Sequence, residues 1–247
     1  MAESLAPLAH AFRRPDGRSV VAAETLPPAV SVERGRVGER AAIAGLAGFG
    51  AVFALVQARR SEAFDLALTL RLQRWRHPTL ARLLSAVSWP GFPPQSRVIP
   101  PAIIAGLWLT GLRLEARVLA LGWGASLLST IVKAGARRPR PVAGVDLRVV
   151  AAPLGGSSFP SGHVITYVGF YGTLGYLAFS LIRAEGVRRM VVGLLGGLVA
   201  LVGPSRVFLG HHWPTDVTAS YLLGTTYLVG VTDIYRRAKA RQAGVRP

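Results

Sequence analysis

The chain has 247 residues, of which 51% are hydrophobic and 17% charged; 29 Lys and Arg against 12 Asp and Glu give a formal charge of +17. Cysteine is absent, which excludes disulfides, thiolate zinc sites and thiol catalysis. The basic residues lie between apolar windows rather than on one polar face, which argues against nucleic acid and for anionic lipid headgroups.

Residues 1–40 are polar, arginine-rich and proline-bearing, without an apolar run of signal-peptide length, and read as a mobile cytoplasmic extension. Windows free of charge then recur over 41–58, 98–112, 118–132, 164–182, 190–205 and 217–232. Several are shorter than the ~20 residues that cross a bilayer as a helix. Flanking arginines can snorkel and helix ends can run on into the interface, so the windows are read as six transmembrane helices. This makes the chain an all-α polytopic membrane protein rather than a soluble one with buried helices. In the first connection, Phe64, Ala67, Leu68, Leu72 and Trp75 follow helical spacing, with Arg71, Arg74 and Arg76 on the polar side. That pattern predicts an amphipathic helix lying in the interface, although the alternation from Phe64 to Leu72 also suits a strand. Trp89-Pro90-Gly91-Phe92-Pro93-Pro94 breaks any helix before the second span. The six-helix domain is drawn at 41–236 and a basic tail at 237–247. Tight basic turns and the tail put more bases on the side of the termini, so both termini are expected inside.

Three short segments carry the chemistry, and that topology places all of them on the outer side. The first is KAGARRPRP, with Lys133, Arg140 and Pro141. The second is Pro160-Ser161-Gly162-His163 at the start of the fourth span. The third, SRVFLGHHWPTD, holds Ser205, Arg206, His212 and Asp216. Charges beside membrane spans are costly unless something uses them. Lys133, Arg140 and Arg206, arriving from three places, can surround one tetrahedral anion, with forks from arginine and a point charge from lysine. Ser161 and Gly162 leave backbone N–H groups free at a helix start, where anions bind. His212 and Asp216 stand four residues apart with Pro214 marking a helix start between them, a spacing that lets the carboxylate accept a proton from one ring nitrogen and leaves the other as nucleophile. A second histidine, His163, permits a division between nucleophile and proton donor. Neighbouring His211 leaves a swap of roles open, but on a helical turn it points about 100° away from His212 and breaks the offset to Asp216. Arg137, Arg138 and Arg148 are read as ordinary interfacial charges.

The order Lys-x6-Arg-Pro, Pro-Ser-Gly-His, Ser-Arg-x5-His-x3-Asp resembles the type 2 phosphatidic acid phosphatase family, which shares its site with vanadium haloperoxidases. The resemblance covers residues 133–216 and implies a lipid phosphatase that needs no metal or other cofactor and works through a phosphohistidine. It implies His212 as nucleophile, Asp216 as its orienting partner and His163 as acid for the leaving group. Lys133, Arg140, Ser161, Gly162 and Arg206 are then the phosphate-binding residues. The implied substrate is a lipid phosphate or diphosphate such as undecaprenyl diphosphate, phosphatidylglycerol phosphate, phosphatidic acid or a lipid A phosphate, met at the outer face of a bacterial inner membrane. The same residues also suit a phosphotransferase to a lipid or sugar hydroxyl. A haloperoxidase is disfavoured because those relatives are soluble, and a silent lipid binder because no motif residue is missing.

Overall fold

The computed structural model describes residues 28–75, 77–143, 147–149 and 155–242, with side chains from Gly35 onward. Every described element is helical: α1 Pro28–Gln57, α2 Glu62–Gln73, α3 Pro78–Ser88, α4 Gln95–Leu109, α5 Arg113–Trp123 and α6 Ala125–Ala136, followed by α7 Gly162–Thr166, α8 Gly172–Leu181, α9 Glu185–Phe208 and α10 Pro214–Gln242. A π turn over Tyr167–Tyr171 joins α7 to α8 in one continuous run. Among the described residues, four stretches are long and apolar enough to cross a membrane: Gly35–Gln57, Arg113–Ala136, Gly162–Leu181 and Glu185–Phe208.

The other two expected spans differ for distinct reasons. At 15 residues α4 extends only about 22 Å at the usual helical rise, and it carries Pro100 and Pro101 inside. Helix α10 has 29 residues but is more polar, carrying Asp216 and Asp233, several Thr and Tyr, and Arg236, Arg237, Lys239 and Arg241 toward its end. Helical structure already begins at Pro28, within the stretch expected to be an extension, and α10 continues to Gln242, into the expected tail. Residues 1–27 and 243–247 of those two segments lie outside the described residues, as does Arg76.

In the first connection the structure forms two helices, α2 and α3, where the spacing suggested one. On α2 the inward positions Asp65, Thr69 and Gln73 are polar and buried, while Phe64, Leu66 and Leu68 are exposed. The i, i+4, i+8 spacing puts the three polar side chains on one helix face. They find partners there: Thr69 Oγ1 donates to Asp65 O, and Gln73 Nε2 donates to Arg148 O and Phe208 O.

The main core gathers Val118 and Leu119 of α5, Val164 of α7, the buried Tyr167–Tyr171 turn, Val202 of α9 and Val217 of α10. Gly169 is required at the crossing with α5, since a Cβ there would sit 2.4 Å from Ala125 Cβ and 2.6 Å from Gly122 O. A second cluster stacks Phe49 and Phe53 of α1 on Phe159 with centroids 5.6–6.2 Å apart, fixing the loop just before Pro160. Helices α1 and α10 also pack along each other.

Candidate active site

Two loops and four helix ends, those of α6, α7, α9 and α10, meet at one place. The segment after α6 and the segment before α7 are laced together: Ser158 N donates to Arg138 O at 2.8 Å, Arg138 N to Ser157 Oγ at 3.1 Å and Ser158 Oγ to Pro139 O at 3.1 Å. The serines thus supply polar partners to a loop that has no strand to pair with. Lys133, in the last turn of α6, donates from Nζ to Ser157 O at 2.8 Å. Arg140 reaches across the join, giving Nη1 to His211 O at 2.9 Å and Nη2 to Ser157 O at 3.3 Å. Its Nη1 also lies 3.3 Å from His212 Nε2. Lys133, Arg140, Gly162, His163 and His212 all line one cavity of about 470 Å³, whose far wall is Trp123, Tyr167, Phe170 and Tyr171.

Ser161 precedes the helical run, and its backbone N–H, expected to be free for an anion, instead donates to Ser220 Oγ at 2.7 Å. The ring of His163 stands edge-on to Phe92, centroids 4.8 Å apart. Arg206 ends α9 and is fully buried. Phe92 covers the face of its guanidinium at 4.8 Å, and Nη1 contacts Ser88 Oγ at 3.4 Å, itself 2.6 Å from Ser205 Oγ. The opposite edge of that guanidinium, Nε and Nη2, has no partner among the described residues, nor do Ser161 Oγ and His163 Nε2. Buried donors are rarely left so, and the Nε–Nη2 edge of an arginine is the fork that grips two oxygens of one anion.

The structure corrects the expected histidine–carboxylate hydrogen bond. Helix α10 starts only at Pro214, so His212 lies before it and shares no helical face with Asp216. His212 Nδ1 instead lies 2.7 Å from Ser158 O and 3.6 Å from Asp216 Oδ2. Because a carbonyl can only accept, Nδ1 carries the proton and Nε2 is left unprotonated toward Arg140 and the cavity. Asp216 Oδ2 accepts from Trp213 N at 2.9 Å, the reach-back of a third-position carboxylate to the residue that caps its own helix. Burial first, then Arg206 and Arg140, hold the His212 ring down at about 4 against the upward pull of Asp216. His211 is pushed down to about 3 by burial, then by Arg206, His212 and Arg140. Neither His211 ring nitrogen has a partner among the described residues, and it is His212 that lines the cavity.

Arg138 is not the free interfacial charge that its place in a basic run suggested. Its side chain is 9% exposed and bridges Asp216 Oδ1 and Asp65 Oδ2, each at 2.5 Å. Arg148 is likewise tied in, donating from N to Gln73 Oε1 and from Nη2 to Gln73 O, whereas Arg137 is exposed. Four contributors therefore escaped the motif reading: the Ser158 carbonyl, Phe92, Arg138 and Asp65. A backbone carbonyl has no sequence signature, but a carboxylate inside an apolar helix is a signal, because such acids are costly without a partner. Gly91 is held by the same packing; a Cβ there would fall 2.3 Å from His163 Cδ2. No three His, Asp or Glu side chains among the described residues converge as a metal-binding group.

Comparison with known proteins adds independent findings. The model of the PAP2 superfamily matches residues 116–240. Phosphatidylglycerophosphatase B of Bacillus subtilis (strain 168) is 28% identical over 178 residues, covering 69% of this chain and 83% of its own length. The crystal structure of the first transmembrane PAP2-type phosphatidylglycerolphosphate phosphatase from Bacillus subtilis superposes with a TM-score of 0.70 at 23% identity. It covers 79% of this chain and 96% of that one. LpxE from Aquifex aeolicus aligns with a TM-score of 0.52 at 22% identity, covering 69% and 95% of the two chains. At these identities the two structures establish likeness of fold.

Proposed function

The chain belongs to the PAP2 superfamily, and from that premise we propose that it is an integral membrane phosphatase that removes the terminal phosphate of a lipid phosphate or diphosphate. The observation that carries this reading is the set of unpartnered buried donors, Arg206 Nε and Nη2, His163 Nε2 and Ser161 Oγ. Of these, His163 lines a cavity whose wall also bears Lys133, Arg140, Gly162 and His212, while Ser161 adjoins Gly162 in the chain and Arg206 packs on Phe92 against His163. Donors fixed before substrate arrives stabilise developing phosphoryl charge without reorganising.

In the proposed reaction Nε2 of His212 attacks phosphorus while the bond from phosphorus to the lipid oxygen breaks. His163 gives its proton to that oxygen, releasing the alcohol or the shortened phosphate. Water then attacks the phosphohistidine, His163 takes its proton, and inorganic phosphate leaves with His212 regenerated. Lys133, Arg140, Arg206, Ser161 and the Gly162 N–H hold the phosphate oxygens, and Asp216 steadies the imidazole as positive charge grows on it.

The membrane arrangement belongs to the same proposal. Helices α4 and α10 complete six spans, both termini lie in the cytoplasm, and the site opens on the outer side of a bacterial inner membrane. The exposed Phe64, Leu66 and Leu68 of α2 support its placement in the interface. Residues 41–236 then form the catalytic domain, flanked by the N-terminal extension and the basic tail. Phosphatidylglycerol phosphate heads the candidate substrates because the curated relative and one solved neighbour are named for that activity.

The test is a phosphate-release panel with purified protein in detergent, covering phosphatidylglycerol phosphate, undecaprenyl diphosphate, phosphatidic acid and lipid A phosphates. We expect release from at least one lipid with a chelator present, inhibition by vanadate, and loss on His212→Ala by ~10³-fold or more, as for removal of a nucleophile. Unchanged turnover of His212→Ala defeats the mechanism.

A further inference from the structure

Behind the histidine site Asp216 belongs to a buried charge cluster whose other members, Arg138, Asp65 and Thr215, the reaction as written does not use. Arg138 divides its fork, Nη1 to Asp216 Oδ1 and Nη2 to Asp65 Oδ2, both at 2.5 Å. Thr215 closes the set: its N–H and Oγ1 donate to the two Asp65 oxygens at 2.9 and 2.8 Å, and Oγ1 accepts from Arg138 Nη1 at 2.8 Å. Ser61 Oγ accepts from Nη2 at 3.2 Å. The side chains of Asp65 and Asp216 are 1% and 0% exposed. Three buried charges are expensive, and a tie between α2 and α10 needs only two of them, or none.

We propose that Asp65 is a positioning residue for the histidine site, acting through Arg138 to keep Asp216 electrostatically available to His212. One guanidinium shared between two carboxylates leaves the cluster with a net negative charge. Were Arg138 paired to Asp216 alone, the pair would be neutral and exert little field on the imidazole. Asp65 draws off half of the fork, so Asp216 keeps its Oδ2, held only by Trp213 N–H, turned toward His212 Nδ1 at 3.6 Å. As Nε2 forms its bond to phosphorus, positive charge appears on that ring, and the surplus negative charge stabilises it. Thr215 fixes the spacing, because it binds both Asp65 and Arg138 from the first turn of α10. The other charged or titratable groups acting on His212 are Arg140, Arg206, His163 and His211, all cationic or neutral. Among the described residues Asp216 is therefore its one anionic neighbour, and what sets the charge of Asp216 sets the field. The assignment rests on His212 as the reacting histidine.

A readout that needs no substrate separates this proposal from the phosphatase reading. Full-length protein labelled with ¹⁵N-histidine in detergent is titrated, with His212→Gln identifying the His212 signals. Removing the Arg138 charge in Arg138→Gln should raise the His212 midpoint, by about one pH unit. Asp65→Asn should lower it, and in the Arg138→Gln background, where no guanidinium is left to share, the same change should move it little. If Arg138→Gln does not fold, the double variant compared with Asp65→Asn gives the same step, since it leaves fewer unpaired buried charges. With a lipid substrate, Asp65→Asn should lower kcat about tenfold while KM stays within about twofold, the signature of stabilisation lost mainly in the transition state. A His212 midpoint that none of these variants moves overturns the proposal and makes the cluster a strut. Midpoints that shift as expected while His212→Ala still releases phosphate overturn the phosphatase mechanism instead.

Discussion

Nε2 of His212 points to the cavity because Nδ1 is committed to the Ser158 carbonyl, so one backbone oxygen chooses which ring nitrogen the proposed reaction would use. Its protonation has a definite sign. With the midpoint of the free ring held down to about 4, the imidazole is neutral above that pH. The acid limb of kcat/KM assigned to His212 should therefore lie near pH 4 rather than near the 6.5 of an unperturbed histidine, as a pH–rate profile checks with a substrate whose own ionisation is corrected for. Arg206 is the residue where a conservative replacement is least conservative. Phe92 on its face and Ser88 at Nη1 aim the Nε–Nη2 edge, and lysine has no such edge. Arg206→Lys should lower kcat/KM by about 10²-fold or more, the loss of a preorganised donor pair. Gly91 permits the neighbouring approach of His163. Gly91→Ala adds a methyl 2.3 Å from His163 Cδ2, so the ring must shift. A displacement near 1 Å can cost about 10²-fold in rate, and the expected result is a low kcat in a protein whose thermal midpoint changes little.

Helix termini do most of the positioning. Lys133, Arg206 and Asp216 lie in the last turn of α6, the last turn of α9 and the first turn of α10. A helix end sets direction, while the following loop is free to turn toward the site. The helical run from Gly162 is interrupted at Tyr167–Tyr171 by a π turn, which is fully buried and anchored by Tyr167 Oη donating to Val87 O at 2.8 Å. Such turns recur near functional sites because they re-aim side chains within an otherwise regular helix. The run is held against α5 by the close contact at Gly169. Gly169→Val should separate the helices and destabilise the protein by on the order of 1–3 kcal/mol, as overpacking does, read as a lower detergent melting midpoint together with weaker activity.

At the scale of the molecule, the fold brings cations together in an apolar setting and leaves several donors without partners among the described residues, an arrangement that an anion relieves. Inorganic phosphate or vanadate should raise the melting midpoint of the parent protein; at one hundred times Kd the linkage is about 2.7 kcal/mol. Arg206→Lys should lose most of that gain. The buried histidines add a pH dependence of the opposite kind. Unfolded, His211 and His212 take up protons near pH 6.5; folded, they resist until about 3 and 4. The unfolded state thus binds more protons in between, so these two rings make stability fall as pH drops from about 6.5 toward 4. Replacing His211 with Phe should flatten part of that slope, as melting curves across the range would register.

Local spacing was enough to propose Lys133, Arg140, Ser161, Gly162, His163, Arg206, His212 and Asp216 as candidates, because each motif is a short unbroken stretch of sequence. Apolar windows likewise announced helices and a membrane setting, since hydrophobicity is a property of the residues themselves. The partners that give those residues direction were not legible. Asp65 meets Thr215 across 150 positions, Ser158 meets His212 across 54, and Phe92 reaches Arg206 from a loop with no motif of its own. The four-residue interval across the helix start at Pro214 does bring His212 Nδ1 to 3.6 Å from Asp216 Oδ2, but that the Ser158 carbonyl takes the shorter contact could not be read from spacing. Residue chemistry is carried by the chain; orientation comes only from packing, where a carbonyl, an aromatic face and a shared guanidinium decide which atom of each side chain is left to react.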